Sequence, residues 1–255
     1  MNSTGARALI DVLFEQGVDT VFGYPGSAVL DIYDELYKCD KIRHILTCHE
    51  QAAAHAADGY ARATGRTGVV IATSGPGATN LVTGIAAAYM DSSPVVAITG
   101  NVKTSLLGSD SFQEVDIAGV TMPVTKYSFI ASGERGVAQD VRDAFSIAQS
   151  GRKGPVLVDI PADIAAQSEE YERAPKSEPA PAKEPEEKEL ERAAQMIAKA
   201  KRPLIYVGGG AISSGASDAL KTFAQKLHIP VACSMMGLGA YPCSAELFLG
   251  LVGMH

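Results

Sequence analysis

The chain has little of what several function classes require. Only four of its 255 residues are cysteines (Cys39, Cys48, Cys233 and Cys243), with no C-x-x-C spacing and too low a density for a disulfide framework. Reduced thiols in a cytoplasmic protein are the expectation. The five histidines form no ligand pattern, and His49 and His55, six residues apart, would point to different faces of a helix. No run of Lys or Arg occurs, and the net charge of −7 argues against a general nucleic-acid binder. The longest apolar runs, such as "PVVAITG", are strand-length and fall far short of the ~20 residues that span a bilayer. The opening "MNSTGARALIDVLFEQG" has no basic n-region and carries Asp11 and Glu15 within its apolar pattern, so it reads as a helix rather than a signal peptide.

What is present is a globular composition, 46% apolar and 20% charged, in a chain long enough for one large domain or two smaller ones. Over the first 165 residues, helical and strand patterns alternate. Residues 4 to 16 put Ala6, Leu9, Ile10 and Leu13 on one helical face, and Gly17 ends the run. "DTVFGYPG" reads as a strand stopped by Pro25 and Gly26, and "SAVLDIYDELY" as a helix with Ser27 at its N-cap. "IRHILTC", "GVVIATSGPG", "PVVAITG" and "GPVLVDIP" are further strands. The alanine-rich stretch after Glu50, "ATNLVTGIAAAYMDS" and a segment near 134 to 150 are helices. Strands that are apolar throughout and separated by helices predict a parallel α/β sheet covered on both faces.

The composition then changes. Between Ala166 and Leu190 there are eight Glu, four Lys or Arg and four Pro, so a net −4 of the chain's −7 falls in this stretch. Low hydrophobicity with proline and charge predicts an extended, solvated linker. Beyond it, "ELERAAQMIAKAKRPLIYVGGGAISSGASDALKTFAQKLHIPVACS" reads helix, strand, glycine turn, helix, strand. One βαβ unit cannot close a doubly wound sheet of the usual size, so this region is expected to be the opening of an incomplete domain.

Three glycine turns follow strands and precede helices: "GYPGSAV" at 23–29, "TSGPGATN" at 73–80 and "VGGGAISSG" at 207–215. Each is either a tight turn or a place where a ligand meets bare backbone amides. None is a Walker loop, and "TSGPGATN" does not fit G-x-G-x-x-G. Glu50 stands at the end of a strand and the start of a helix. There it either complements the helix dipole or, partly desolvated, shares a proton with a ring nitrogen. The "DSFQEVD" loop at 110–116 lies in a long connection with little regular pattern, the kind that often carries function.

Taken in order, "FGYPGSAVLDIYDEL", "HEQAAAHAADGYARATG", "TSGPGATNLVTGIAAAYMDSSPVVAITG", "FQEVD", "TKYSF" and "GPVLVDIP" resemble the catalytic subunit of acetolactate synthase (acetohydroxyacid synthase). That family consists of thiamine-diphosphate enzymes of branched-chain amino-acid synthesis. The resemblance covers nearly the whole chain apart from the linker. "SGPGATN" alone occurs across the wider superfamily, but the first five motifs together are highly specific. The ending "LGLVGMH" is similar to the start of the family's flavin-contacting segment.

The resemblance implies a pyrimidine-binding domain over residues 1–165, a charged Pro/Glu linker over 166–188, and the beginning of a central FAD-binding domain over 189–255. The pyrophosphate-binding domain that holds Mg2+ and the diphosphate is expected to lie outside this stretch, so no metal ligand is assigned here. Glu50 is implied as the catalytic carboxylate that hydrogen-bonds the aminopyrimidine ring of thiamine diphosphate and favours its imino tautomer. Tyr24, Pro25 and Gly26 match the turn beside the cofactor rings, and Pro76 and Asn80 fall in a second cofactor-side turn. Phe112 and Gln113 match a pair lining the substrate pocket, with Gln113 also on the cofactor side, and Lys126 matches a basic residue near it. Arg152, Gly208, Gly209 and Gly210 match positions that touch FAD, whose role would be structural because the reaction needs no redox step. Two positions depart from the pattern: Ser27 stands where many members have glycine, and Ala162 where a lysine is common, so no anion contact is carried over to that position.

The implied reaction decarboxylates pyruvate on thiamine diphosphate and condenses the resulting enamine with a second 2-keto acid, giving acetolactate, or acetohydroxybutyrate from 2-ketobutyrate. The implied protein is a cytoplasmic homodimer or higher homo-oligomer with a separate regulatory subunit, and it involves neither nucleic acid nor membrane. Two other readings remain open. One is a related enzyme of the pyruvate oxidase or sulfoacetaldehyde acetyltransferase type; glyoxylate carboligase fits less well because it lacks the glutamate. The other is a non-catalytic dimerisation or binding module. The purified 255-residue chain is expected to make no acetolactate from pyruvate, since the diphosphate and metal ligands are expected elsewhere; measurable product in a pyruvate assay would overturn this.

Overall fold

Helix formation begins where the sequence supplies a cap. The Thr4 side chain accepts the Arg7 N–H at 3.2 Å, and the left-handed Gly17 (φ 75°) closes the first helical segment. The structure, a computed structural model, describes residues 2–176 and 184–253. They belong to two compact units, Met1–Pro181 and Ala182–His255.

In chain order the first unit contains β1 (Asn2–Thr4), α1 (Gly5–Glu15), β2 (Thr20–Tyr24), α2 (Leu30–Tyr37), β3 (Arg43–Leu46), α3 (Glu50–Thr64), β4 (Gly68–Ala72) and α4 (Pro76–Asn80). It continues with α5 (Val82–Met90), β5 (Val95–Asn101), α6 (Ile117–Thr121), β6 (Tyr127–Ile130), α7 (Val137–Gln149), β7 (Val156–Pro161), α8 (Ala162–Ala166) and β8 (Ser168–Glu170). Six strands form one parallel sheet in the order β3-β2-β4-β5-β7-β6. Five of them coincide with the apolar runs of the sequence. The sixth, β6, is a short edge strand whose partner is β7, and four residues of mixed polarity carry no strand signal of their own.

Alternation along the buried strands feeds two cores. Val69 and Ile71, Val96 and Ile98, and Val156, Val158 and Ile160 pack with Leu9, Ile10 and Leu13 of α1, Ile32 of α2 and Phe145 of α7. On the other face, Val70, Ala72, Ala97 and Leu157 meet Ala53, Ala54 and Ala57 of α3 and Ile85 and Ala88 of α5. Here the side chains are small because the backbones are close: a Cβ added to Gly84 would collide with the Cβ of Ala54, and one added to Gly68 with the carbonyl of Ala57. The alanine-rich helix is thus the inner layer of the second face.

Part of the stretch expected to be linker is docked structure. β8 pairs antiparallel with β1, and the buried Glu15 carboxylate accepts from Arg142 Nε and Nη2 at 3.1 Å, from Tyr171 Oη and from the Ala174 N–H. A buried carboxylate must be paired, and two of its donors, Tyr171 and Ala174, come from the segment whose composition suggests solvation. Residues 177–183 of that stretch lie outside the described residues.

The second unit contains α9 (Glu187–Lys199), β9 (Ile205–Val207), α10 (Gly209–Ser213), α11 (Ser217–Leu227), β10 (Val231–Cys233) and β11 (Phe248–Leu251). Its sheet has three parallel strands in the order β11-β10-β9. The "FLGL" segment, expected only as a flavin-contacting stretch, is therefore the third strand, defined by pairing with β10 rather than by its own pattern. Val207, Ala224, Val231, Cys233, Ala240 and Tyr241 make this unit's core. All four cysteines are free. Among the described residues no helix is long and apolar enough to cross a membrane.

One carboxyl group is fully buried and has no cation partner among the described residues. Asp159 on β7 is fully buried and accepts from Thr99 Oγ1 at 2.6 Å and Asn101 Nδ2 at 2.5 Å on the neighbouring β5. Burial pushes this carboxyl up to about 7, against the pull of those two hydrogen bonds, and the charge of Asp116 adds to the rise. The folded-state value lies above the ordinary 3.8, so the stabilising contribution is complete below about pH 4 and is lost as pH rises toward about 7. Its full size is on the order of 4 kcal/mol. Denaturant titrations between pH 4 and 8 should show stability falling with pH and a flatter profile in Asp159→Asn; an unchanged slope in the variant would assign the effect to another group.

Candidate functional site

The chain reverses its winding between β2 and β4. These strands are hydrogen-bonded neighbours, yet β2 leads into α2 on one face while β4 leads into α5 on the other. The connections diverge and leave a crevice at the carboxyl ends of the two strands, which is where open α/β sheets bind ligands. The first two glycine turns flank this crevice, and α3 begins beside it.

The first turn carries Tyr24, the exposed last residue of β2, followed by Pro25 and Gly26. Gly26 is extended (φ −166°), so it is required by space rather than by backbone strain: an added Cβ would stand 2.5 Å from Cβ and Cγ2 of Thr73. Ser27 does not cap the following helix as its position suggests. Residues Ser27–Val29 form a 3-10 turn without a side-chain cap, and α2 starts at Leu30. The Ala28 N–H instead donates to Thr73 Oγ1 at 3.2 Å.

Glu50 is the first residue of α3, but the cap of that helix is His49, whose Nδ1 accepts the Gln51 N–H at 3.1 Å. The Glu50 side chain is therefore not consumed in capping. It is 8% exposed, and its Oε2 accepts from Asn80 Nδ2 at 2.9 Å. Oε1 has no hydrogen-bond partner among the described residues, and a Cβ on Gly77 would lie 3.3 Å from it and 2.7 Å from Thr73 Cγ2. One carboxylate oxygen is held and the other faces a backbone left bare by glycine. Behind the crevice, Tyr33 Oη lies 3.3 Å from His44 Nε2, the rings meeting edge-to-face at 5.0 Å. Burial raises the Tyr33 hydroxyl, with the Glu50 charge adding to it, and burial lowers His44, so both stay neutral near neutral pH.

The 110–116 loop reaches the second turn from the side. Gly75 (φ 55°) precedes Pro76, and an added Cβ would stand 2.7 Å from the Gln113 carbonyl oxygen and 2.9 Å from its Cα. Gln113 is itself left-handed (φ 59°). The loop is shaped by Glu114, which accepts from the Ser111 N–H at 2.9 Å and from the Gly108 N–H; these bonds hold its carboxyl below the ordinary value. Phe112 is 85% exposed.

Glu50, Asn80, Pro76, Tyr24, Pro25, Gly26 and Gln113 are thus gathered at one crevice, with Phe112 beside Gln113 in the loop, whereas Lys126, Arg152 and Gly208 to Gly210 are not. Lys126 and Arg152 precede β6 and β7, at the amino edge of the sheet. Lys126 Nζ donates to the Ser150 carbonyl at 2.6 Å and to the Ile147 carbonyl at the end of α7, and burial lowers it. Arg152 Nε donates to Ser92 Oγ at 2.8 Å. Gly208 caps α10 in the second unit, and Gly209 and Gly210 are that helix's first residues, where a Cβ on Gly209 would meet the Met236 carbonyl oxygen at 3.0 Å. Thr73, Tyr33 and His49 are the crevice residues that the sequence reading missed. Thr73 sits inside the quoted "TSGPGATN", and a β-branched hydroxyl residue at a strand end beside a glycine turn was the available signal.

Alanine at Gly75 would force a left-handed residue, costing about 1–2 kcal/mol, onto the Gln113 backbone. Gly75→Ala should lower the melting temperature and speed proteolysis in the 107–114 loop; an unchanged melting curve and digest would show that the contact is not needed.

Comparison with known proteins now adds to this geometry. The thiamine pyrophosphate enzyme N-terminal TPP binding domain matches residues 3–120, and the central domain of the same enzymes matches residues 190–255. The chain is 51% identical over 255 residues to the acetolactate synthase large subunit of Corynebacterium glutamicum, covering 99% of this chain and 41% of that protein. It is 49% identical to the acetolactate synthase isozyme 3 large subunit of Escherichia coli K12, with 99% of this chain and 45% of that protein covered. With the probable acetolactate synthase large subunit of Methanocaldococcus jannaschii it shares 50% identity, over 98% of this chain and 43% of that protein. The chain spans less than half the length of these relatives. It belongs to the thiamine pyrophosphate enzymes, carrying their N-terminal TPP binding domain and the start of their central domain.

Proposed function

We propose that this chain is the N-terminal part of an acetolactate synthase catalytic subunit, with Glu50 as its proton-exchanging residue toward thiamine diphosphate. The observation that carries the reading is the Glu50 carboxylate: buried at the switch crevice, tied through Oε2 to Asn80, and open through Oε1 beside Gly77. An aminopyrimidine ring nitrogen needs such an acceptor, and bare glycine backbone on both sides lets a flat ring approach. The residues present therefore fit the group.

When bound, thiamine diphosphate supplies an electron sink for the carbanion left as a 2-keto acid loses carbon dioxide. Glu50 holds or releases the proton at the ring nitrogen, and its low exposure keeps water from taking that role. His49 fixes the helix start from which Glu50 projects, and Asn80 fixes the carboxylate's rotation. Tyr24, Pro25 and Gly26 form one wall of the ring site, and Pro76 and Asn80 the other. Phe112 and Gln113 face the substrate side, and Lys126 is proposed to reach a substrate pocket from the amino edge only where another subunit contributes. Pyruvate is the first substrate, and pyruvate or 2-ketobutyrate the second. Mg2+ accompanies the diphosphate with no ligand from this chain. Arg152 and Gly208 to Gly210 are proposed FAD contacts with a structural purpose. A cytoplasmic homo-oligomer and a separate regulatory subunit complete the proposal.

In the intact enzyme, Glu50→Gln keeps an acceptor for Asn80 but removes the titrating oxygen. Turnover of pyruvate to acetolactate should fall by roughly 100-fold or more, while the melting temperature stays within a few degrees of the unaltered protein's. Near-normal turnover would remove Glu50 from this role.

A further inference from the structure

We infer that Thr73 is a positioning residue that sets the separation of the two glycine turns across the crevice, and through it the place of thiamine diphosphate relative to Glu50. The inference rests on the functional reading above and goes one residue deeper. The β2–β4 ladder runs Phe22↔Val70, Gly23↔Ile71, Tyr24↔Ala72 and stops there. The next residue of β2 is Pro25, which has no N–H to extend the ladder. The next residue of β4 is Thr73, and its side chain takes over where the backbone pairing ends.

Each branch of that side chain has its own partner. Oγ1 accepts the Ala28 N–H at 3.2 Å, supplying from another strand the cap that Ser27 does not provide. Cβ and Cγ2 lie under Gly26, where an added methyl would stand 2.5 Å away. Cγ2 also lies under Gly77, 2.7 Å from where its Cβ would be, and Gly77 borders Glu50 Oε1. Thr73 is 9% exposed, and β-branching leaves it little χ1 freedom. A single rigid side chain therefore touches the first turn through both branches and the second through its methyl. Tyr33, the neighbouring side chain, reaches Gly23, His44 and Ile71 but not the second turn.

Serine at this position keeps the hydroxyl, valine keeps the shape, and alanine loses both, so the three variants separate the two functions. In the intact protein, Thr73→Val should speed amide hydrogen exchange at Ala28 by about fivefold to tenfold, the loss of one hydrogen bond. It should also raise the dissociation constant for thiamine diphosphate about tenfold while leaving the KM for pyruvate near its normal value. Thr73→Ser, which keeps the hydroxyl but not the methyl under Gly77, should restore slow exchange at Ala28 and part of the cofactor affinity. Thr73→Ala should show both losses and serves in place of valine if that variant does not fold. Unchanged cofactor affinity in Thr73→Val despite faster Ala28 exchange would overturn the proposal, as would equal losses of affinity in the serine and valine variants. Failure of the functional reading is distinguishable: the unaltered protein would then bind no thiamine diphosphate, although Ala28 exchange would still respond to Thr73.

Discussion

The structure depends on one constraint: β2 and β4 lie side by side but send their helices to opposite faces of the sheet. That reversal leaves an opening at their carboxyl ends, where the two connections diverge. Bare backbone must line it, which explains why both flanking turns are built of glycine and proline. The same reversal brings the end of β3 alongside, so that the first residue of α3 arrives at the crevice. The alanines of α3 serve this arrangement. They let the helix lie against Ala72 and Ala97 of the sheet and against Gly84 of α5, close enough for Glu50 to meet Asn80.

Three buried carboxylates show how surroundings divide similar groups into different roles. Glu15 is met by the Arg142 guanidinium, the Tyr171 hydroxyl and a backbone N–H, and it works as a fastener for the end of the first unit. Asp159 meets only the neutral donors of Thr99 and Asn101, and burial moves it toward its protonated form. It thereby joins β5 and β7 just before the chain leaves for the loop that bears Gln113, since Asn101 Oδ1 in turn accepts the Val102 N–H at 2.8 Å. Glu50 is the one with an oxygen left open. Its Oε1, beside Gly77, is the carboxylate oxygen among these three groups that stays available at the crevice, within the stretch that matches a TPP binding domain.

Much of this was legible along the chain. Continuous apolar runs such as "GVVIA" and "VLVDIP" are buried on both sides, and their composition says so without knowledge of their neighbours. The glycine turns and Glu50 were visible as strand-end features. Other parts were hidden because their cause lies across the chain. The strands β6 and β11 are four residues each and owe their form to β7 and β10. The charged segment after Ala166 looks solvated until Glu15 and Arg142, themselves 127 residues apart, are seen to meet beneath it. Ser27 looks like a cap, but Thr73, 45 residues from Ala28, does that work.

By itself, then, the sequence determined the parallel α/β character, the glycine turns and the identity of a carboxylate at a helix mouth, because periodicity and turn chemistry act over a few residues. Only the tertiary structure decided which groups share the crevice and which stand at the opposite edge, as Lys126 and Arg152 do. It also decided that His49 rather than Glu50 caps α3, leaving the carboxylate free. The reason is physical: strand order and register bring together atoms tens of residues apart, and burial and pairing depend on that company rather than on neighbours in the chain.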